Sequence, residues 1–316
     1  MNDRICCIGE SLVDFVSTKR CTRLLDAEAF KPCPGGAPAN VAVAIARLGG
    51  RSSLISCVGE DAWGDFLRET LDREGVDTRG LQRTAGASTT LAFVSLDAEG
   101  DRDFSFMRSP GADTLLDASA MAEESLEDCG LLHFGTFSLS VEPSRGTTLE
   151  AVRRVRERGG LISLDVNYRE SVWSSPEEAI RCVESVLPLV DILKVSWEEA
   201  VLLTGLEDRK LAVERLMSTG PRVVLVSLDA EGCLGANREA QFHVSAFLVP
   251  CVDATGAGDS FIGAFLQRFV ELELPFENAE RLEEACRFAC AAASITVSGY
   301  GAIPSLPRRE EVLAKV

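Results

Sequence analysis

The sequence predicts an α/β fold, a doubly wound, mostly parallel sheet flanked by helices and carrying a small β-sheet lid. Three observations predict it. Short apolar runs suited to buried strands alternate with longer amphipathic stretches. Residues 89–107 break that rhythm and alternate apolar with polar instead. The 316 residues, 46% hydrophobic, can bury a full core, and no repeat, low-complexity tract or linker divides them, so a single domain over 1–316 is expected.

Taken in order, the strand candidates are Ile5 to Ile8, Ser53 to Val58, Gly130 to Phe134, Leu161 to Val166, Ile192 to Val195 and Val223 to Ser227. Helix candidates lie between them at about 38–48, 62–74, 143–158, 177–187, 197–204 and 209–218, several opened by Pro or by acidic residues in the first turn. Right-handed crossovers would place helices on both faces of the sheet. Thr89 to Leu96 and Arg102 to Met107 read as strands joined by Asp97-Ala98-Glu99-Gly100-Asp101, which has hairpin-turn composition. The lid is expected to draw strands from roughly 10–18, 28–34 and 89–107. An edge hairpin and a closing lid fit that pattern equally. After Asp259 come two helices, the second near 279–297 and rich in Ala and Cys. Its small side chains suit either helix packing or contact with a flat ligand.

A formal charge of −17 excludes a broad nucleic-acid-binding face. The eleven cysteines are odd in number and scattered, which fits a reducing cytosol. With only His133 and His243 in the chain, no zinc ligand set forms. Met1-Asn2-Asp3-Arg4 leads directly into a strand-like segment and no apolar run is long enough to span a bilayer, so a cytoplasmic protein without signal peptide or membrane partner is expected.

The chemistry concentrates in Asp253-Ala254-Thr255-Gly256-Ala257-Gly258-Asp259, which runs into a helix. Small residues let the amides of Gly256, Ala257 and Gly258 approach a ligand, and the helix aims its unpaired N–H groups at the same point. An anion would bind there. Asp259 would repel it, which points to a second task, accepting a proton. In Pro34-Gly35-Gly36-Ala37-Pro38-Ala39-Asn40, Gly35 and Gly36 permit backbone contact and Asn40 offers a donor and an acceptor to adjacent hydroxyls. Asp14 follows the first strand, where ligands of doubly wound sheets sit, and an ionised Asp accepts from vicinal hydroxyls. Arg169 and Lys194, at successive strand ends, would neutralise phosphate charge, and Glu199 would hold magnesium through water. Surface ion pairing is the plainer account of those three. A polyol holder, an amide cradle, a carboxylate and a magnesium ligand are together what phosphoryl transfer needs. Neither Gly-x-x-x-x-Gly-Lys-Ser/Thr nor Gly-x-Gly-x-x-Gly occurs, which argues against a P-loop kinase and a Rossmann dehydrogenase.

These motifs, in order from Gly9 to Glu311, resemble the ribokinase-like (PfkB) carbohydrate kinases. Gly35-Gly36 to Asn40 is similar to the family's first signature and Asp253 to Asp259 to its second. Thr89 to Val94, Phe104 to Asp113, His133-Phe134-Gly135 and Glu142 to Arg145 resemble bacterial fructokinases in particular. The resemblance implies transfer of the ATP γ-phosphate to a ketose hydroxyl, O6 of fructose foremost. Asp259 would be the base and the amides of Gly256, Ala257 and Gly258 the anion hole. Asp14, Gly35, Gly36, Asn40, Phe106, Arg108 and Arg169 would surround the sugar. Asn167, Lys194, Ser227, Gly232, Gly256 and Gly258 would serve the nucleotide, with Mg2+ at Glu199. Asp253, Thr255, Gly301 and Ser305 match positions that imply K+. A homodimer through the lid is also implied.

Two departures stand out. Ser196 replaces the Asn of an Asn-x-x-Glu motif, and Asp229 replaces a Gly expected at positive φ. Asp165 to Arg169 with Phe106 and Arg108 also resembles 2-keto-3-deoxygluconate kinases, and ribose or nucleoside kinases share the frame. A sugar-binding regulator without chemistry and a nicotinamide-dependent oxidoreductase are the readings from other classes. Retention of Asp259 and Glu199 disfavours the first, and the missing glycine fingerprint the second.

Overall fold

A computed structural model describes residues 2–19, 23–96, 102–121 and 124–316. The expected turn at 97–101, Cys21 and the Phe104 side chain lie outside the described residues. The strands are β1 (Arg4–Ile8), β2 (Leu12–Ser17), β3 (Phe30–Gly35), β4 (Ser52–Gly59), β5 (Leu81–Thr84), β6 (Leu91–Leu96), β7 (Arg102–Met107), β8 (Cys129–Gly135), β9 (Leu161–Asp165), β10 (Ile192–Ser196), β11 (Val223–Ser227), β12 (Cys233–Ala236) and β13 (Gln241–Val244). The helices are α1 (Ala37–Arg47), α2 (Ala62–Arg73), α3 (Glu124–Glu127), α4 (Ser144–Glu157), α5 (Pro176–Val186), α6 (Trp197–Thr204), α7 (Arg209–Met217), α8 (Ala257–Glu271), α9 (Ala279–Thr296), α10 (Ala302–Ser305) and α11 (Arg309–Leu313).

Nine strands form one sheet in the order β13-β12-β11-β10-β9-β8-β1-β4-β5. It is parallel from β11 to β5 and antiparallel at β11–β12 and β12–β13. Successive residues of a strand face opposite sides. Ile5 and Cys7 therefore join an apolar layer with α1, α2, α8 and α9, while Cys6 and Ile8 join a second layer with α4, α5, α6 and α7. Burial on both faces is why these strands read as unbroken apolar runs. Each large side chain fully sunk there, such as Phe134 or Phe265, contributes about 1.5–3 kcal/mol. The Ala- and Cys-rich α9 packs against α8, with Ala285, Ala289 and Ala292 buried in the first layer. No helix among the described residues is long and apolar enough to cross a membrane.

Every expected strand and helix appears within one or two residues of its anticipated bounds. Three strands were not anticipated. β5, Leu-Gln-Arg-Thr, is an edge strand with one aliphatic residue, and β12 and β13 are four-residue antiparallel strands too short to show a period.

The lid is a separate four-stranded sheet, β3-β2-β6-β7, rather than a lone hairpin. Register puts Asp14 beside Ala92 and Ala92 beside Phe106, so Asp14 and Phe106 share one face. The opposite face carries an aromatic cluster, with Phe15 stacked on Phe93 at 5.1 Å and edge-on to Trp63 of α2 at 5.2 Å.

Strand β1 has β4 on one side and β8 on the other. The chain therefore reverses its winding at β1, and a crevice opens beyond the strand's carboxyl end. The site lies there.

Candidate active site

A cleft of about 520 Å³, including its open mouth, lies between lid and sheet. Glu10, Leu12, Asp14, Gly36, Ala37, Asn40, Phe106, Phe137, Asn167, Arg169, Thr255, Gly256 and Asp259 line it. That volume suits a small ligand.

Two helices begin at its floor. Asn40 lies in the first turn of α1 and Asp259 in that of α8, and Asn40 Nδ2 donates to Asp259 Oδ2 at 2.7 Å. One turn further along each helix, a Cβ on Gly263 would stand 2.8 Å from Ala44 Cβ. The bare glycine therefore lets the helices close, and the i, i+4 relation of Asn40 to Ala44 and of Asp259 to Gly263 carries that approach back to the functional pair. Both amino-terminal ends face the same crevice.

Asp259 remains open to the cleft on one side, yet loss of solvent pushes its carboxyl up to about 6. The Asn40 hydrogen bond, Lys194 and Arg169 oppose the rise, and Asp165 adds to it. A carboxylate near 6 is ionised at neutral pH and more basic than an exposed Asp. As the expected base, Asp259 would have to be deprotonated, so kcat/KM should fall as pH drops through about 6. Asn40→Leu removes a donor that favours the charged form, and should move that acid limb up by about one to two pH units while raising the KM of the polyol. A limb that stays in place would show that Asn40 does not control Asp259.

Gly256 precedes α8 with φ 79°, and a Cβ there would meet Ala302 Cα at 2.9 Å. The first intrahelical bond runs from Ser260 N to Gly256 O at 2.8 Å, so the amides of Gly256, Gly258 and Asp259 come before the helical ladder. The Ala257 amide donates to Ala254 O at 3.2 Å. Of the three amides expected to form a cradle, that of Ala257 is turned toward its own loop, and those of Gly256 and Gly258 lie ahead of the helical ladder. Asp253 holds that loop, accepting from Thr255 N at 2.8 Å and from Gly301 N at 2.9 Å. Ser305 Oγ donates to Tyr300 O at 2.9 Å.

Gly36, φ 98°, lies so close to the chain that a Cβ would sit 2.5 Å from Glu10 O. Gly35 leaves room for the Asp14 carboxylate. Asn167, expected on the nucleotide side, lines the same cleft as Asp14 and Arg169. Arg108 is placed differently. Its Nε is paired with Asp113 at 2.8 Å, Nη1 donates to Ser140 Oγ at 3.1 Å, and the guanidinium lies 4.2 Å over the Phe137 ring. Phe137 in turn touches Phe106 of the lid at 5.5 Å, so Arg108 braces the cleft wall.

Lys194 is buried and paired with Asp165 at 3.0 Å. Burial works against its charge, but Asp165 and Glu199 outweigh it and raise its pKa. A Cβ on Gly258 would stand 3.0 Å from its Nζ, which places the ammonium directly beneath the cradle. Glu199 is buried, and that raises its carboxyl pKa. Both oxygens accept main-chain amides, Tyr168 N at 2.6 Å and Ser196 N at 2.7 Å. Ser196 Oγ accepts from Glu199 N at 3.2 Å, closing a capping box at the start of α6, which explains a Ser at that position. Ser227 ends β11, and Gly232, φ 106°, follows the next turn. Both lie outside the cleft lining. Asp229 adopts φ 48°, the positive value expected of the residue that replaces a Gly.

Glu10, Leu12, Ala37 and Phe137 were not anticipated as lining residues. Glu10 belongs to the same segment as Asp14, but its burial depends on the Gly36 turn lying over it, which sequence spacing does not reveal.

Residues 2–309 match the sequence profile of the pfkB family carbohydrate kinases. Fructokinase-1 of Oryza sativa subsp. japonica is 42% identical over 306 residues, covering 96% of this chain and 95% of that one. Among solved structures, fructokinase from Xylella fastidiosa with bound ATP superposes with a TM-score of 0.90 at 34% identity, covering 99% of this chain and 98% of the other. Fructokinase from Vibrio cholerae O395 with fructose, ADP and calcium ion bound gives the same TM-score, identity and coverage. With residues 2–309 matched by the family profile and with relatives alike in sequence and fold over nearly their full length, the chain belongs to the pfkB family of carbohydrate kinases.

Proposed function

We propose that this protein is an ATP-dependent fructokinase that transfers the γ-phosphate to O6 of fructose. The observation that carries the reading is the Asn40–Asp259 hydrogen bond, which joins the polyol side of the cleft to the amide cradle at one carboxylate. The sugar lies between Asp14, Gly36, Asn40, Phe106 and Arg169, with its terminal hydroxyl at Asp259. Asp259 accepts the hydroxyl proton as the oxygen attacks phosphorus, and the Gly256 and Gly258 amides bind the oxygens on which charge grows. Lys194, beneath Gly258, adds positive potential there. Closure of the lid over the sugar would bring Phe106 and Phe137 across the cleft mouth and exclude water, protecting ATP from hydrolysis.

Among the described residues no cluster of three or more His, Cys, Asp or Glu forms a metal cage. Magnesium is held largely by substrate phosphates and waters, and Glu199 would reach it through water. When bound, the ion neutralises charge on the transferring group. The loop tied by Asp253, with Thr255, Gly301 and Ser305, would offer oxygens to K+, and exchanging potassium for lithium tests that site. A lid-to-lid homodimer would cover Met107, which is exposed, and sedimentation tests it. Cysteine usage supports a cytoplasmic location.

The alternative acceptor, 2-keto-3-deoxygluconate, would require cations that grip a carboxylate. Of Arg108 and Arg169, only Arg169 lines the cleft, while the Arg108 guanidinium is already paired with Asp113; one cation rather than two facing the acceptor favours a neutral ketose. Initial rates with ATP, magnesium and a panel of fructose, 2-keto-3-deoxygluconate, ribose and nucleosides test the assignment. Fructose should give the highest kcat/KM, and a higher value for any other acceptor overturns it.

A further inference from the structure

Glu10 is only 4% exposed, yet it lines the cleft. Its Oε1 accepts from Ala37 N at 2.9 Å, at the first helical residue after Gly36. Its Oε2 is buried with no hydrogen-bond partner. A buried polar oxygen left unpaired costs about 1–3 kcal/mol, and such orphans in native proteins call for an explanation. Here the carboxyl is held by the Ala37 amide, next to the Gly36 turn that packs on the Glu10 main chain, with the Arg108–Asp113 pair nearby. Because Glu10 lines the cleft, a polar atom of what enters there can complete it. We propose that Glu10 is a specificity-determining residue whose Oε2 pairs with a hydroxyl of the bound acceptor other than the one phosphorylated.

Burial pushes the Glu10 carboxyl up to about 8, so at neutral pH it carries a proton. Because Oε1 already accepts from Ala37 N, that proton belongs on Oε2, which is then a donor to a sugar oxygen. A neutral donor suits an uncharged hydroxyl and avoids a second carboxylate charge beside Asp14. It also disfavours analogues lacking the hydroxyl, since the orphan then stays buried and unpaired.

The inference rests on the fructokinase reading, and its test separates the two. Wild type, Glu10→Gln and Glu10→Met are compared on fructose and its monodeoxy analogues, with melting curves for each protein. Met fills the space without polar atoms, whereas Gln keeps an acceptor for Ala37 N and a donor at the orphan position. Glu10→Met should raise KM for fructose about 10- to 100-fold with a smaller change in kcat, and Glu10→Gln should recover most of that loss. One deoxy analogue should lose a similar factor with wild type and lose nothing further with Glu10→Met. If wild type phosphorylates fructose but Glu10→Met penalises every analogue equally, or none, Glu10 only supports the turn and the proposal fails alone. If another sugar is the better acceptor, the fructose assignment fails and the same comparison on that sugar's deoxy series decides Glu10. A wild-type protein that phosphorylates no sugar overturns both.

Discussion

Asp259→Asn is expected to lower kcat by about 10² to 10⁴, the range that a positioned general base contributes. The substitution keeps size and a carbonyl oxygen, so Asn40 Nδ2 retains an acceptor. The lost quantity is basicity, which burial has raised to a pKa of about 6. ATP affinity should hold or tighten, because the variant removes a negative charge beside the Gly256–Gly258 amides that receive phosphate. Coupled ADP release measures the first effect and calorimetric titration of ATP the second. Near-normal turnover would remove Asp259 from the mechanism, and a parallel collapse of ATP binding would make its role structural.

Gly256→Val should be almost as damaging for a different reason. At φ 79° a β-branched residue is strained by about 1–2 kcal/mol, and its Cβ would press on Ala302 at 2.7 Å from that residue's Cβ. The loop has no slack to give, since Asp253 ties it to Gly301. Relief must come from moving the amides, and misplacing one such donor costs about 10² to 10³ in kcat. The variant should also melt earlier, whereas Gly256→Ala, with the same backbone conflict but a smaller side chain, should fall between. Turnover equal to wild type in both would show that the cradle geometry is not limiting.

How much of this was legible in the sequence follows from distance along the chain. The Asp253–Asp259 loop was readable because its glycines, its carboxylate and the helix it opens are consecutive. The alternating strands and helices were readable because burial on both sheet faces leaves an unbroken apolar run. Asn40 and Asp259 were each identified, but their bond was not, since it depends on Gly263 meeting Ala44 across two helices. Arg108 was expected at the sugar, and its guanidinium lies with Asp113 and Phe137 in the wall. Lys194 and Glu199 looked like phosphate and metal groups at strand ends. The fold pairs Lys194 with Asp165 under the cradle and gives Glu199 two amides to hold. In these cases the missing information was a partner far away in sequence, and side-chain type alone does not name one.

The most direct measurement is a crystal structure with fructose and a nonhydrolysable ATP analogue bound together. O6 should lie about 2.6–3.2 Å from an Asp259 oxygen, in line with the terminal phosphate, whose oxygens meet the Gly256 and Gly258 amides. A sugar whose phosphorylatable hydroxyl points away from Asp259, or a phosphate bound elsewhere than those amides, would contradict the account.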